Sequence, residues 1–343
     1  MIQLTKGNLL EAQAEALVNT VNCVGVMGKG IALQFKQAFP ENYAFYRAAC
    51  QRGEVQLGQM LVYETGHVLN PRYVINFPTK HHWKEKSRIE NIESGLQALV
   101  DEVKQRGITS IAVPPLGAGS GGLAWSEVRP RIEAAFAPLT AVRVLLYAPL
   151  GAPQAETMQV ATKRPNMTPG RAVILALLQR YLTPMYRLSM LEVQKLAYFA
   201  QAAGEPLKLD FVKGPYGPYA ETVNHVLQAM EGHFVRGYGD RSRSPSIRLA
   251  PEAVAEAQAF LQNLPDSRAR IERVANLIEG FETPYGMELL ATVHWVAHEN
   301  PAARTDVNAV IEGIHHWSDR KRASFQPAHI QAAWGRLSEY GWI

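Results

Sequence analysis

The chain has 343 residues, of which 47% are hydrophobic and 19% charged, with a formal net charge of +4. This length allows two domains, each with a sizeable core. No apolar run approaches the roughly 18 residues that span a bilayer. The mild net charge does not by itself indicate a nucleic-acid partner. Only Cys23 and Cys50 carry thiols, and the N-terminus lacks a secretory signal. We therefore expect a cytoplasmic protein without a disulfide framework, a bound metal, a cofactor or a membrane partner.

Residues 1–150 alternate between strand and helix patterns. Strands are predicted at 1–4, 16–18, 60–64, 73–77, 110–113 and 142–147, and helices at 31–39, 43–52, 89–105 and 126–136. This alternation predicts an α/β domain with a mostly parallel mixed sheet covered by helices on both faces. Ligands of such sheets bind beyond the carboxyl ends of the strands.

A glycine-rich loop (PPLGAGSGGL, residues 114–123) follows the strand at 110–113 and precedes a helix. Its glycines let the backbone approach a ligand, and its N–H groups favour an anion such as a phosphate. Gly117, Gly119 and Gly122 also match a dinucleotide-binding fingerprint. That fingerprint needs an acidic residue after the next strand, and the strand at 142–147 ends without one, so a nicotinamide-type ligand is the minor alternative.

A second glycine loop (NTVNCVGVMGKG, residues 19–30) lies between the strand at 16–18 and the helix at 31–39. It lacks the Gly-Lys-Ser/Thr ending of a nucleoside triphosphatase loop, because Ile31 follows Gly30. Two such loops at the carboxyl ends of strands suit a ligand with a pyrophosphate between two sugars.

Four motifs carry a family resemblance: TKGNL at 5–9, VNxxN at 18–22, GxGIA at 28–32 and the loop at 114–125. In this order and spacing they resemble a macrodomain, a three-layer α/β/α module that binds ADP-ribose. NFPTK at 76–80 and LAW at 123–125 are similar to the branch that removes single ADP-ribose groups. This branch includes eukaryotic terminal ADP-ribose glycohydrolases and the DarG-type antitoxins, which oppose the DNA-modifying toxin DarT. The resemblance covers residues 1–150.

The resemblance places the catalytic residue at Lys80, near the carboxyl end of the strand at 73–77. A partly desolvated lysine has a lowered pKa, and its amine can then attack the ring-opened distal ribose. Alternatively, Lys80 stays charged and acts on the leaving base or a phosphate. The sequence leaves both roles open.

The resemblance also implies which residues bind ADP-ribose. Asn22 matches the asparagine that binds the distal ribose hydroxyls, Asn8 stands where macrodomains carry an adenine-binding aspartate, and Tyr147 is placed to stack on adenine. A turn cap for Asn22 and a core position for Tyr147 are the structural alternatives. The other expected contacts lie in the loops: Leu9, Gly28, Lys29, Gly30, Ile31, Pro115, Gly117, Ala118, Gly119, Ser120, Gly121, Gly122 and Leu123.

Gly121 departs from the eukaryotic relatives, which carry an acidic residue at this position. If the chain is catalytic, Lys80, a water molecule or the substrate must therefore take a larger part in the chemistry. We expect the missing side chain to widen the loop and to admit a larger leaving group, such as a nucleotide in DNA.

The segment after Lys80 (HHWKEKSR, residues 81–88) mixes basic groups with an aromatic ring. His82, Trp83 and Lys84 are candidate DNA contacts, since basic groups hold phosphodiesters and a base stacks on tryptophan. A solvated loop is the alternative.

Beyond residue 150 the pattern changes. A linker is predicted over 151–168, followed by a mainly α-helical second domain over 169–343. Its helices are predicted at 169–182, 190–203, 220–230, 251–264, 267–280, 287–298, 307–317 and 327–340, with extended pieces at 207–212 and 246–249. His294 and His298 lack the glutamate of the zinc-protease helix signature.

LEVQKLAYFAQ at 191–201 and KGPYGPY at 213–219 resemble the Panacea/SocA-like antitoxin domains, which neutralise a toxin by binding it. Tyr216 and Tyr219 are then candidate toxin contacts, with a plain turn as the alternative. Together the resemblances imply an antitoxin that removes ADP-ribose from DNA bases and binds its cognate ADP-ribosyltransferase toxin. An ADP-ribosyl-protein glycohydrolase and a non-catalytic ADP-ribose reader are the competing functions.

Overall fold

The computed structural model of the chain describes residues 1–181, 186–241 and 244–343. It divides into two compact units. The first contains Met1–Lys163 together with residues 239–241, and the second contains Arg164–Tyr238 and Ser244–Ile343. Among the described residues, no helix combines the length and the apolar character needed to cross a bilayer.

The first unit is built on a six-stranded sheet in the order β1-β6-β5-β2-β4-β3. All neighbouring strands are parallel except β3 and β4, which confirms the predicted mixed, mostly parallel sheet. The strands are β1 (Ile2–Thr5), β2 (Ala16–Asn22), β3 (Leu61–Glu64), β4 (Tyr73–Lys80), β5 (Ser110–Val113) and β6 (Arg143–Tyr147). The helices are α1 (Gly30–Ala38), α2 (Pro40–Gln51), α3 (Ile89–Gln105) and α4 (Trp125–Phe136).

Helices cover both faces of this sheet, since successive side chains of β2 pack against different helices. Ala16 and Val18 pack in a cluster with α3 and α4, whereas Leu17 packs in a second cluster with α1. Successive strand residues point to opposite faces, so a fully apolar β2 segment requires apolar partners on each side. The three-layer α/β/α architecture predicted from the sequence is confirmed.

β2 and β4 extend further than predicted, because buried amides pair across them. Asn19, predicted to begin a loop, lies inside β2, and its amide donates to Asn76 Oδ1 at 3.0 Å. Asn76 in turn donates to Asn42 Oδ1 at 2.7 Å. Polar side chains can occupy a strand interior once they are hydrogen-bonded. β4 therefore continues to Lys80 beside Asn22, the last residue of β2.

Part of the predicted linker over 151–168 packs on the first unit, which extends to Lys163. A 3-10 turn forms at Ala155–Thr157 and Met158 is buried. The Ala161 N–H donates to Gln37 O at 2.8 Å. A single buried residue produces no periodic pattern, so the sequence did not indicate this contact.

The second unit is mainly helical, as predicted. Its helices are α5 (Pro169–Tyr181), α6 (Met190–Ala202), α7 (Glu221–Met230), α8 (Pro251–Leu261), α9 (Pro265–Ile278), α10 (Pro284–Glu299), α11 (Val307–His315), α12 (Asp319–Ser324) and α13 (Pro327–Glu339). The predicted end of the first of these, Leu182, lies outside the described residues. α12 was not predicted, because six residues are too few for a clear period.

Two short antiparallel pairs complete the second unit. They are β7 (Val212–Gly214) with β8 (Gly217–Tyr219), and β9 (Val235–Arg236) with β10 (Arg248–Leu249). The predicted extended piece at 207–212 is wrong as a strand except at its last residue. The Gln201 side chain, rather than a neighbouring strand, bonds the backbone of Leu209.

Candidate active site

Lys80 lies at the carboxyl edge of the sheet, as the last residue of β4. Its Nζ donates to the carbonyl oxygens of Glu85 at 3.1 Å and Ser120 at 3.2 Å. Ser120 belongs to the glycine loop that follows β5. The bond to Ser120 therefore joins the end of one strand to the loop after another, and it brings the predicted catalytic residue to the predicted anion-binding loop.

The surroundings of Lys80 favour its neutral form more than water does. Burial lowers the pKa of the Lys80 amine, and the nearby Glu85 carboxylate only partly opposes this effect. Removing a charge from water disfavours the ammonium, whereas a neighbouring negative charge favours it. Sequence reasoning did not single out Glu85, whose position near Lys80 depends on the turn at 81–87.

Gly121 is tightly packed, which corrects the expectation that it widens the loop. A Cβ at Gly121 would lie 2.3 Å from Ser87 Oγ and 2.4 Å from Gly117 O. The Ser87 N–H also donates to Gly121 O at 2.9 Å. Glycine is needed here because the loop folds onto the segment after Lys80, so an acidic side chain would displace the loop.

Three consecutive backbone N–H groups of the glycine loop have no hydrogen-bond partner in the part of the chain that the structure describes. Within the described residues, the N–H groups of Gly119, Ser120 and Gly121 donate to no protein acceptor. Gly119 and Ser120 are exposed. Consecutive free N–H groups form a concavity that binds anions. The other predicted contacts of this loop lie on either side of these donors: Pro115, Gly117, Ala118, Gly122 and Leu123.

Asn22 organises the first glycine loop. Its Nδ2 donates to Val26 O at 2.6 Å, and its Oδ1 accepts from Val24 N–H at 3.0 Å. The Tyr46 hydroxyl donates to the Asn22 backbone oxygen at 2.7 Å and lies 3.2 Å from the same Oδ1. The side chain is buried, and its Oδ1 and one N–H of Nδ2 hold the loop, so the structure shows the turn-cap alternative. Contact with the ribose stays a prediction, and the second N–H of Nδ2, which has no protein acceptor among the described residues, is the donor for it.

The N-terminus of α1 is occupied by Asp240. The Gly30 N–H donates to Asp240 O at 2.8 Å, and Gln34 Nε2 donates to Asp240 Oδ2 at 2.6 Å. Gly30, predicted to bind ADP-ribose, therefore has its N–H engaged by a protein carbonyl. Lys29 beside it is exposed, whereas Gly28 and Ile31 are half-buried. Asp240 lies 206 residues from Gln34 in the chain, so no local pattern indicated it.

The two residues expected at adenine are engaged within the fold. Asn8 caps the 3-10 turn Leu9–Glu11, since its Oδ1 accepts from Leu10 N–H at 3.1 Å and its Nδ2 donates to Glu11 Oε1 at 2.9 Å. Tyr147 is only 7% exposed and packs with Leu9 in the apolar cluster beside α1. The core alternative for Tyr147 is therefore the one that the structure shows.

Trp83 is an exposed aromatic ring three residues beyond Lys80. Its side chain is 48% exposed, Lys84 Nζ lies 5.1 Å from the ring centroid, and the His82 ring lies 5.4 Å away. The three candidate DNA contacts thus form one exposed aromatic and basic group on the segment that bears Lys80.

Comparison with known proteins identifies the family. The Macro domain model matches residues 18–132. A DNA ADP-ribosyl glycohydrolase of Thermus aquaticus is 50% identical over 99% of this chain and 94% of its own length. The chain belongs to the DNA ADP-ribosyl glycohydrolase family. This membership confirms the macrodomain and DarG-type resemblance of the sequence.

Two further relatives each match 43% of this chain. A DNA ADP-ribosyl transferase–DNA ADP-ribosyl glycohydrolase fusion protein of Thermosipho africanus is 37% identical over 43% of this chain and 42% of its own length. The solved macrodomain of Thermus aquaticus DarG is 56% identical, covers 43% of this chain and 99% of that structure, and has a TM-score of 0.43.

Proposed function

We propose that the chain removes single ADP-ribose groups from DNA bases, with Lys80 as the catalytic residue. The observation that carries this proposal is the pair of hydrogen bonds that fixes Lys80 Nζ against Ser120 and Glu85. A diphosphate on the free N–H groups of the glycine loop would lie beside Lys80, with the distal ribose in reach of its amine. The family name of the full-length relatives supports DNA as the substrate.

The contacts of Lys80 suit attack on the anomeric carbon. Two backbone carbonyls accept hydrogen bonds from Nζ. The neutral amine has two N–H groups and one lone pair, so its lone pair stays free to attack the substrate. Ring opening breaks the bond between the anomeric carbon and the ring oxygen, which takes a proton, and leaves an iminium at the base nitrogen. Nζ then adds to the anomeric carbon and passes one of its protons to the base nitrogen, and the bond to that nitrogen breaks to leave a lysine iminium. Water then adds to the lysine iminium and releases ADP-ribose with the amine regenerated. A charged Lys80 that stabilises the departing base is the alternative role.

The substrate class is tested with the full chain. An oligonucleotide carrying one ADP-ribosylated base and a protein carrying ADP-ribose esters on glutamate are incubated side by side, and released ADP-ribose is measured. We expect release from DNA with the unmodified strand regenerated. Preference for the protein ester would contradict DNA as the substrate, and binding without release would indicate a reader.

For the second unit, we propose binding of the cognate ADP-ribosyltransferase toxin through the β7–β8 hairpin. Tyr216 at the hairpin tip is 55% exposed, and the Arg320 guanidinium lies 4.5 Å from its ring centroid. The Lys195 ammonium donates to Pro218 O at 2.6 Å and anchors the hairpin from inside. Tyr219 is bonded to Glu221 and Asn224, so Tyr216 is the stronger candidate contact. The transferase–glycohydrolase fusion supports a functional link between the two activities.

Toxin binding is tested by co-purifying the full chain with an ADP-ribosyltransferase encoded beside it. Tyr216→Ala should weaken the complex about tenfold, the cost of one aromatic contact at an interface. Tyr340→Ala is the matched control, since Tyr340 is 38% exposed and is also covered by a guanidinium, that of Arg336 at 5.0 Å. Equal losses in both variants, or none in either, would contradict the role of the hairpin.

A further inference from the structure

The second unit contains a groove that the proposed activities do not use. It lies beside α6 and α10, has a volume of about 610 Å³ and is open to solvent. Four aromatic side chains line it, and acidic groups stand at its edge. The rings are those of Tyr198, Phe211, His294 and Trp295, and the carboxylates are those of Asp210 and Glu299.

The walls of this groove are fixed by hydrogen bonds. The Gln201 amide donates to Leu209 O at 2.9 Å and accepts from Leu209 N–H at 2.8 Å, which holds the chain of Asp210 and Phe211 against α6. The Tyr198 hydroxyl and His294 Nδ1 are 2.7 Å apart. A site whose side chains are already ordered loses less entropy when a ligand binds.

The rings form an angular enclosure around Tyr198. The Phe211 ring is 5.2 Å from Tyr198 at 80°, and the His294 ring is 5.4 Å away at 79°. Trp295 lies 6.1 Å from Tyr198 at 42°. Aromatic faces carry negative electrostatic potential, so a cation in the groove is attracted to the ring faces that line it, while the edge-to-face contacts hold the rings in place.

Two carboxylates line the groove, and two guanidiniums, those of Arg273 and Arg304, lie near its histidines. Asp210 and Glu299 are exposed, and neither forms an ion pair with any residue that the structure describes. Glu299 and Tyr198 line the same groove, and burial, followed by the Glu299 charge, raises the pKa of the Tyr198 hydroxyl. Burial lowers the pKa of His294 to about 3, so this imidazole is neutral at pH 7, and burial also lowers the pKa of His298.

We propose that this groove is a binding site for an arginine side chain presented by a polypeptide partner. A guanidinium is planar and weakly hydrated, so it stacks on aromatic rings while its N–H groups reach carboxylates. The enclosure of Tyr198, Phe211 and Trp295 supplies the rings, and Asp210 and Glu299 supply the carboxylates. This site is independent of Lys80 and of ADP-ribose.

The proposal is tested by fluorine NMR of the full chain labelled with 5-fluorotryptophan. The Trp295 resonance is assigned by its loss in Trp295→Phe. N-acetyl-arginine amide is titrated as the probe, N-acetyl-citrulline amide as its neutral isostere, and free arginine to separate a side chain from the amino acid. The Asp210→Asn, Glu299→Gln double variant is compared with Glu279→Gln, Glu312→Gln, which removes two exposed carboxylates of the same unit.

We expect the blocked arginine to shift the Trp295 resonance saturably, with a dissociation constant of about a millimolar. The groove variant should weaken this affinity about tenfold or more, and the control variant should leave it unchanged. Stronger binding of free arginine than of the blocked form would overturn the polypeptide origin. An equal response to citrulline, the absence of a saturable shift, or equal losses in both variants would overturn the site.

Discussion

Gly121 lies against Ser87 so closely that a Cβ at position 121 would be 2.3 Å from the serine hydroxyl oxygen. The glycine thus fixes the loop whose Ser120 carbonyl binds Lys80. Position 121 carries an acidic residue in eukaryotic relatives, whereas the glycine of this chain has a packing role. The geometry of the site depends on this packing.

Gly121→Ala should therefore destabilise the first unit by about 1–3 kcal/mol, the usual cost of forcing an extra methyl into a packed site. Gly119→Ala is the control, since a Cβ there meets nothing within 4 Å, and we expect a change within about 0.5 kcal/mol. Differential scanning calorimetry of the full chain measures both. Equal stabilities of the two variants would mean that the loop is not held against Ser87.

Asn22→Ala should cost about 1–3 kcal/mol and lower the affinity for ADP-ribose, because the backbone groups of Val24 and Val26 lose a buried partner. Thr20→Ala, on the same strand and partly exposed, serves as the control. Calorimetric unfolding and titration with ADP-ribose report the two effects. Lower affinity for ADP-ribose without lower stability would instead indicate that Asn22 contacts the ligand but does not stabilise the loop.

Trp83→Ala should raise the KM for ADP-ribosylated DNA about tenfold, with kcat and the affinity for free ADP-ribose unchanged. Stacking of one base on an aromatic ring contributes about 1–3 kcal/mol, and an exposed ring beside Lys80 is placed for it. Steady-state kinetics on a modified oligonucleotide measures the KM. An unchanged KM would show that Trp83 belongs to a solvated loop.

Lys195 should make the stability of the second unit depend on pH. Burial lowers the pKa of its ammonium from 10.5 to about 7. Between these values the unfolded chain binds one more proton, so stability rises with pH across this window by up to about 1.4 kcal/mol per pH unit. Urea unfolding at pH 7 and pH 9 should show a larger rise for the native protein than for Lys195→Met. Parallel pH profiles would contradict this account.

The sequence predicted the parts of the fold that local periodicity determines. α3 and β5 have the predicted bounds, because α3 repeats apolar residues at helical spacing and β5 is a short apolar run. What it could not predict depends on distant partners. Asn19 extends β2 because Asn76 bonds it, and Asp240 reaches Gly30 from 210 residues further along the chain.

The same division applies to the site. A lysine at the end of a strand beside a glycine loop was evident from the order of motifs. The tight approach of Gly121 to Ser87 and the hydrogen bonds of the Asn22 amide to its own loop were not evident, since both depend on how the loops fold back on themselves.

Lys80 should give the reaction a characteristic pH dependence. Because burial lowers the pKa of its amine, the neutral nucleophile becomes populated at lower pH than in an ordinary lysine. We expect kcat on ADP-ribosylated DNA to rise with pH through this pKa and then level off. A kcat that falls over the same range would instead assign Lys80 the charged, electrostatic role.

The central claim, that Lys80 is catalytic, is tested most directly by single-turnover release of ADP-ribose from a modified oligonucleotide. Lys80→Ala should lower the rate at least about 100-fold while still binding ADP-ribose, whereas Lys104→Ala, which removes an exposed lysine of α3, should keep the native rate. Lys80→Arg preserves the charge and should also be inactive if the amine is the nucleophile. Cleavage by Lys80→Ala at the native rate would contradict the proposed active site.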